Sequence, residues 1–287
     1  MTPLAIILVL TAAGLHATWN LLAKRVNSGL PFVWVCVTMS VIIYGPFVIG
    51  YWWTHPVSIN STGIKLIVLS GILHSGYSIF LQRAYRAGDF SLVYPLARGT
   101  GPLLSFLAAV ILLGERPSLL TMGGGLVIVL SIFLLTGGQP KMRGDRKTGP
   151  AIFYGVGCGV FIASYTVADQ QAVTIAAVAP LILDWSSNLA RGLLLTPFAI
   201  KRWGEVRRVW IEYKKECLAV AVLSPLAYIL VLTAMSFTPL TYIAPMREVS
   251  ILIGALIGAR MLKEMEGHRR IWAAGAMALG VIALALG

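Results

Sequence analysis

The sequence is short of charge. Only 12% of its residues are Asp, Glu, Lys or Arg, and just 11 of the 287 are acidic. A soluble domain of this length needs more polar surface than that, so a water-exposed globule is excluded. The three cysteines, Cys36, Cys158 and Cys217, fall in or at the ends of apolar runs, where they offer neither a disulfide framework nor metal spacing and read as small packing residues. The four histidines, His16, His55, His74 and His268, are scattered, with no pair at ligand spacing within an apolar run. No glycine loop of P-loop form is present to cradle phosphates. These absences argue against a membrane-embedded enzyme and against ATP-driven pumping, and no metal or other cofactor is expected.

What is there instead is hydrophobic: 57% of the chain, with a mean hydropathy of +0.82. Apolar stretches recur at roughly the twenty-residue length that a helix needs to cross a bilayer core of about 30 Å. Ten such spans are predicted, at 3–23, 33–53, 65–85, 93–113, 120–136, 150–170, 179–200, 217–237, 242–262 and 271–287. Their connections are too short for a separate soluble domain, and the expected fold is an all-α integral membrane protein in contact with the lipid bilayer. The first span is expected to be retained. No positive segment precedes it, and "LLAKRV" follows it in place of a small-residue cleavage site.

The formal net charge of +12 would suggest nucleic acid in a soluble protein. Here the basic residues flank helix ends, and topology is the better explanation; no nucleic-acid partner is expected. One face holds Lys24, Arg25, Arg83, Arg86, the cluster Lys141, Arg143, Arg146 and Lys147, six residues from Lys201 to Lys215, and Arg260, Lys263, Arg269 and Arg270. The other has only Lys65 and Arg116. By the positive-inside rule the crowded face is cytoplasmic, which puts both termini on the non-cytoplasmic side of a cell membrane, expected to be a bacterial inner membrane.

The chain also repeats itself. At an offset of 150, His74 falls on Ser224, Ser78 on Tyr228, Ala84 on Ala234, Ser91 on Thr241 and Pro95 on Pro245; one gap later Arg98 falls on Arg247 and Glu115 on Glu264. The boundaries are 1–136 for the first five-helix repeat, 137–149 for a basic linker and 150–287 for the second repeat. An odd number of spans per half inverts the second half relative to the first. That is the build of many secondary transporters, whose substrate site lies near the midplane between the halves.

Two five-span halves, each with a proline-marked fourth span ending in "LLGERPS" (112–118) or "MLKEMEG" (261–267) and a glycine-rich fifth span, resemble the EamA-type transporters of the drug/metabolite transporter superfamily. The resemblance implies a carrier of small metabolites with a central cavity lined by the first, third, fourth, sixth, eighth and ninth spans. Members with ten spans are often drawn with cytoplasmic termini, the reverse of the charge count here.

Three arginines fall inside spans: Arg98, Arg191 and Arg247. Arg98 and Arg247 are each the sixth residue of oppositely directed spans, which sets the two positions roughly 15 Å apart in depth. Each either snorkels to the headgroups or faces a shared polar cavity. The mirrored pair favours the cavity, and guanidinium favours carboxylate or phosphate. An anionic or zwitterionic small-molecule substrate is therefore expected: an amino acid, a carboxylate or an organophosphate. A channel or facilitator is the alternative. Pro95 and Pro102 flank Arg98 and Pro245 precedes Arg247, marking either matching interruptions at the binding site or packing kinks.

Glu248 is either a charge partner for an arginine or a protonatable coupling group. Expected substrate contacts besides Arg98 and Arg247 are Tyr94, Trp19, Asn20, His74 and Tyr228, each of which has an interhelical hydrogen-bonding reading beside it. Asp184, Asn188 and Arg191 share one face of the seventh span and read as mainly structural. The glycines at 123–125 and the row Ala276 and Gly280 suggest close contact of the fifth and tenth spans, as scaffold or dimer contact, and the chain is expected to be a monomer or homodimer.

Overall fold

In lipid a backbone can satisfy its polar groups only within its own segment, so long apolar runs with few breakers become helices. The structure, a computed structural model, describes residues 1–26, 29–55, 58–87, 90–136, 148–254 and 267–287. Its helices are α1 (Pro3–Val26), α2 (Gly29–Thr54), α3 (Ser61–Ala87), α4 (Phe90–Ile111), α5 (Leu119–Thr136), α6 (Thr148–Thr174), α7 (Pro180–Lys201), α8 (Trp203–Glu212), α9 (Lys214–Met235), α10 (Leu240–Met246) and α11 (Gly267–Leu286). No strand occurs among the described residues. Among the described residues five segments are long and apolar enough to cross a membrane: α1, α2, α3, the Gly149–Thr174 part of α6, and α9. Shorter apolar stretches lie at Leu96–Ile111, Leu119–Leu134 and Trp272–Leu286. Large apolar side chains such as Trp53, Ile111, Leu119 and Leu286 point outward, as a lipid-facing surface requires.

Three features depart from the sequence reading. The sixth span continues four residues past its expected end, carrying α6 to Thr174. The connection between the seventh and eighth spans forms a further helix, α8, which buries Val206 and Val209 and leaves Arg207 and Arg208 exposed. The ninth expected span is broken. α10 ends at Met246, residues 247–248 form a turn, and a helical segment resumes at 249–254. Pro245 has no amide proton to donate, and the Glu248 and Ile251 amides bond three residues back, to the carbonyls of Pro245 and Glu248. The counterpart α4 runs without a break through Arg98, so the interruption is confined to one of the two proline-marked spans. The basic linker from 137 to 147 and the sequence 261–266, with Glu264, lie outside the described residues.

The helices pair closely: α6 packs against α3 and α4, α1 against α9, α2 against α7, and α5 against α11. At the last of these contacts a Cβ added to Gly124 would sit 2.8 Å from the Gly280 carbonyl oxygen, and one added to Gly280 would sit 2.9 Å from that of Gly124. Small residues are what permit such approach when lipid supplies no hydrophobic drive between helices. The expected contact of the fifth and tenth spans is thus present as backbone on backbone.

The end of α4 shows what the "GE" pair does. Gly114 adopts φ +69°, a left-handed conformation that glycine takes without strain, and the Glu115 amide bonds back to the Ala109 carbonyl. That turn delivers the Glu115 carboxylate to the start of α10, where it accepts the Leu240 amide at 2.7 Å and the Thr241 amide at 2.8 Å. Pro239, at the N-cap, offers no side-chain oxygen of its own. Glu115→Ala is expected to cost about 1–2 kcal/mol, read as a lower midpoint of thermal denaturation in detergent. Gly280→Leu should force α5 and α11 apart at a cost of about 1–3 kcal/mol, read by the same measurement together with the monodisperse yield.

Candidate functional site

Six segments bring polar side chains to one buried region: α1, α3, α4, α6, α9 and the break after α10. They correspond to the six spans expected to line a cavity. Arg98 from α4 and Arg247 from the break both reach Glu248. Arg98 Nη1 lies 3.7 Å from Glu248 Oε2, and Arg247 Nε lies 3.7 Å from Glu248 Oε1. The Glu248 side chain is 1% exposed, that of Arg247 9% and that of Arg98 11%. Two cations therefore share one carboxylate out of solvent. The 15 Å separation in depth expected from their positions does not keep the head groups apart, because both long side chains extend inward, and neither snorkels away from its neighbour's charge. At 3.7 Å these are ion pairs without a hydrogen bond, and Glu248 Oε2 has no hydrogen-bond partner among the described residues.

Arg98 also donates from Nη2 to His16 Nε2 on α1, at 2.5 Å. Arginine has only donors, so His16 accepts and its ring is neutral. The same imidazole meets the Trp19 ring edge-on with centroids 4.8 Å apart, and the buried Trp19 indole nitrogen has no partner among the described residues. Asn20 turns back on its own helix, donating to the His16 carbonyl at 2.9 Å. The helix α4 passes through position 94, but the Tyr94 side chain lies outside the described residues.

His74 and Tyr228 meet on a residue absent from the expected set. Asp169 of α6, fully buried, accepts from His74 Nε2 at 3.2 Å and from the Tyr228 hydroxyl at 2.5 Å, both at Oδ2. Tyr165, one turn earlier on α6, stacks on His74 at 3.9 Å between centroids and stands 6.4 Å from Tyr228, while Tyr77 meets Tyr165 edge-on at 6.1 Å. Tyr165 lies within electrostatic reach of Arg98, Arg247, Glu248 and Asp169, so the two charged groups neighbour the same ring. Asp169 is absent from the sequence reading, which ended the sixth span at 170, one residue beyond it, whereas α6 continues to Thr174. A lone acid within reach of an otherwise uncharged span was the available signal.

The seventh-span stripe is partly a network. Asn188 donates to Asp184 Oδ2 at 3.0 Å, Ser187 of α7 donates to Ser70 of α3 at 3.0 Å, and the Arg191 Nε is buried without a hydrogen-bond partner among the described residues. A surface cavity of about 260 Å³ lies elsewhere, at the C-terminal end of α6, lined by Glu115, Gln170, Thr174 and the connection from Met235 to Pro239. Among the described residues no group of three His, Cys, Asp or Glu is placed to hold a metal ion.

An all-helical, multi-pass membrane protein with opposed charges buried between its helices is the class these features define. Residues 3–137 match the model of the EamA-like transporter family, which supports an EamA-type transporter of the drug/metabolite transporter superfamily. A crystal structure described only as that of a protein aligns with 98% of this chain and 98% of its own at a TM-score of 0.76 and 17% identity. At that identity the likeness speaks for the fold alone, over nearly the full length. No curated protein matches the sequence.

Removing one member of a buried ion pair leaves the other charge uncompensated, at a cost of about 3–5 kcal/mol. Glu248→Leu, which strands two guanidinium groups, should therefore lower thermal stability in detergent more than Arg98→Leu does. The Arg98→Leu and Glu248→Leu double variant should recover part of that loss, and a double-mutant cycle on denaturation midpoints reads the coupling.

Proposed function

We propose that this protein is a secondary active transporter of a small polar metabolite, anionic or zwitterionic, working by alternating access. The observation that carries the reading is the convergence of Arg98 and Arg247 on Glu248 in the interior. An intramembrane charge costs about 2.5–3.5 kcal/mol on insertion scales, and two cations of this kind are retained where they serve a solute pathway. Arg98 and Arg247 receive the anionic group of the substrate, and Glu248 is their resident counter-ion. Trp19, Asn20, His74, Tyr228 and Tyr94 contribute the surrounding contacts.

The chain crosses the membrane ten times as two inverted five-helix repeats, residues 1–136 and 150–287, joined by the basic linker. The pairing of helices supports this. If α1 corresponds to α6, α2 to α7 and α3 to α9, then α1 on α9 mirrors α6 on α3, and α3 on α7 mirrors α9 on α2. The pairs α2 with α7 and α5 with α11 map onto themselves. The excess of Lys and Arg on one face puts that face in the cytoplasm and both termini outside, in the plane of a cell membrane that we take to be a bacterial inner membrane.

In proteoliposomes, Arg98→Ala and Arg247→Ala are each expected to reduce uptake of carboxylates, amino acids and organophosphates by about tenfold or more while the protein remains monodisperse. Unchanged transport of every candidate in both variants would remove the assignment. Saturable uptake with counterflow identifies a carrier; uptake that is linear in concentration and lacks counterflow identifies a channel or facilitator.

A further inference from the structure

The Asp169 carboxylate is used on one side only. Oδ2 takes both available donors, His74 Nε2 and the Tyr228 hydroxyl, whereas Oδ1 is buried with no hydrogen-bond partner among the described residues. Burying an anionic oxygen without a donor is costly, and native structures seldom leave one so unless a ligand completes it. The two donors belong to an aromatic cluster with Tyr165, with centroid separations of 3.9 Å for His74 and Tyr165, 5.6 Å for His74 and Tyr228, and 6.4 Å for Tyr165 and Tyr228. An acceptor oxygen beside an aromatic cluster is the chemistry that receives an ammonium group, through its three N–H donors and through attraction to the π systems.

Charge balance points the same way. The two guanidinium groups of Arg98 and Arg247 are matched in formal charge by the carboxylates of Glu248 and Asp169. These four formal charges cancel, yet they are sorted by partner: both arginines pair with Glu248, whereas Asp169 is held by His74 and Tyr228. A solute with no net charge and separated poles leaves that balance undisturbed, whereas a dianionic organophosphate does not.

We infer that Asp169, through Oδ1, is the receiver of a substrate ammonium group, so that the transported solute is a zwitterion held with its anionic end on the arginines and its cationic end on Asp169. This deepens the transporter reading and rests on it.

The test uses the full-length protein in detergent, with thermal-shift titration of matched pairs: α-amino acids and carboxylic acids of the same carbon skeleton lacking the amine. Wild-type protein should prefer the amino member of at least one pair by about tenfold or more, the discrimination of a charge-assisted hydrogen bond. Asp169→Asn should bring the two members to within about twofold by weakening the amino acid and not its partner, and Asp169→Glu should restore part of the preference. Equal loss of both members in Asp169→Asn, at unchanged thermal stability, would make Asp169 structural and overturn the inference. So would an intact preference in that variant accompanied by lost pH or sodium dependence of uptake, which would assign a proton or sodium ion to Oδ1. If wild-type protein binds only desamino carboxylates or organophosphates, and does so in an Arg98-dependent way, the ammonium receiver is refuted while the arginine site stands.

Discussion

A charge inside a membrane has nowhere to go for solvation, and much of this molecule's interior is arranged around that constraint. Glu248 pairs with two guanidinium groups that would otherwise repel each other at the cost of stability. The carboxylate can do so because of where it sits in the chain. It follows Arg247 directly, in a turn rather than in a regular helix, so one residue serves a neighbour in sequence and a partner on α4 together. His16 then takes a remaining guanidinium donor of Arg98, and in doing so fixes its own tautomer and its contact with Trp19.

The turn itself depends on residues far from it. Pro245 removes one helical hydrogen bond, but a proline alone would only kink α10. The start of that short helix is held by Glu115, whose carboxylate replaces the cap that Pro239 lacks. Gly114 sets the direction from which that carboxylate arrives. A glycine conformation at one end of the bundle therefore bears on the placement of two buried charges, through a chain of hydrogen bonds each of which has an ordinary physical cause.

Much of the architecture was legible in the sequence because hydrophobic length is a strong signal in lipid. Helices stand where apolar runs predicted them, and the arginine pair was visible because charge is rare in such runs. The ends of elements were less legible. Asp169 lies near the end of a span read four residues short, and α8 was hidden by a basic stretch in which Val206 and Val209 gave only a weak apolar face. The prolines left interruption and packing kink both open; the chain breaks at 247–248, beside Pro245, whereas α4 accommodates Pro95 and Pro102 without interruption. Proline reports a missing donor and not how the neighbours compensate for it. The role of the Glu115 carboxylate could not be read at all, since its partners lie more than a hundred residues along the chain.

The shared carboxylate has a consequence for exchange. Any anion that reaches Arg98 and Arg247 arrives at cations already satisfied by Glu248, so binding replaces one ion pair with another and gains only the difference. Such a site holds its occupant loosely by construction. When the occupant departs, Glu248 is present to resume the pairing and offsets one of the two positive charges. On the proposed function, weak retention suits a protein whose work is completed by letting go.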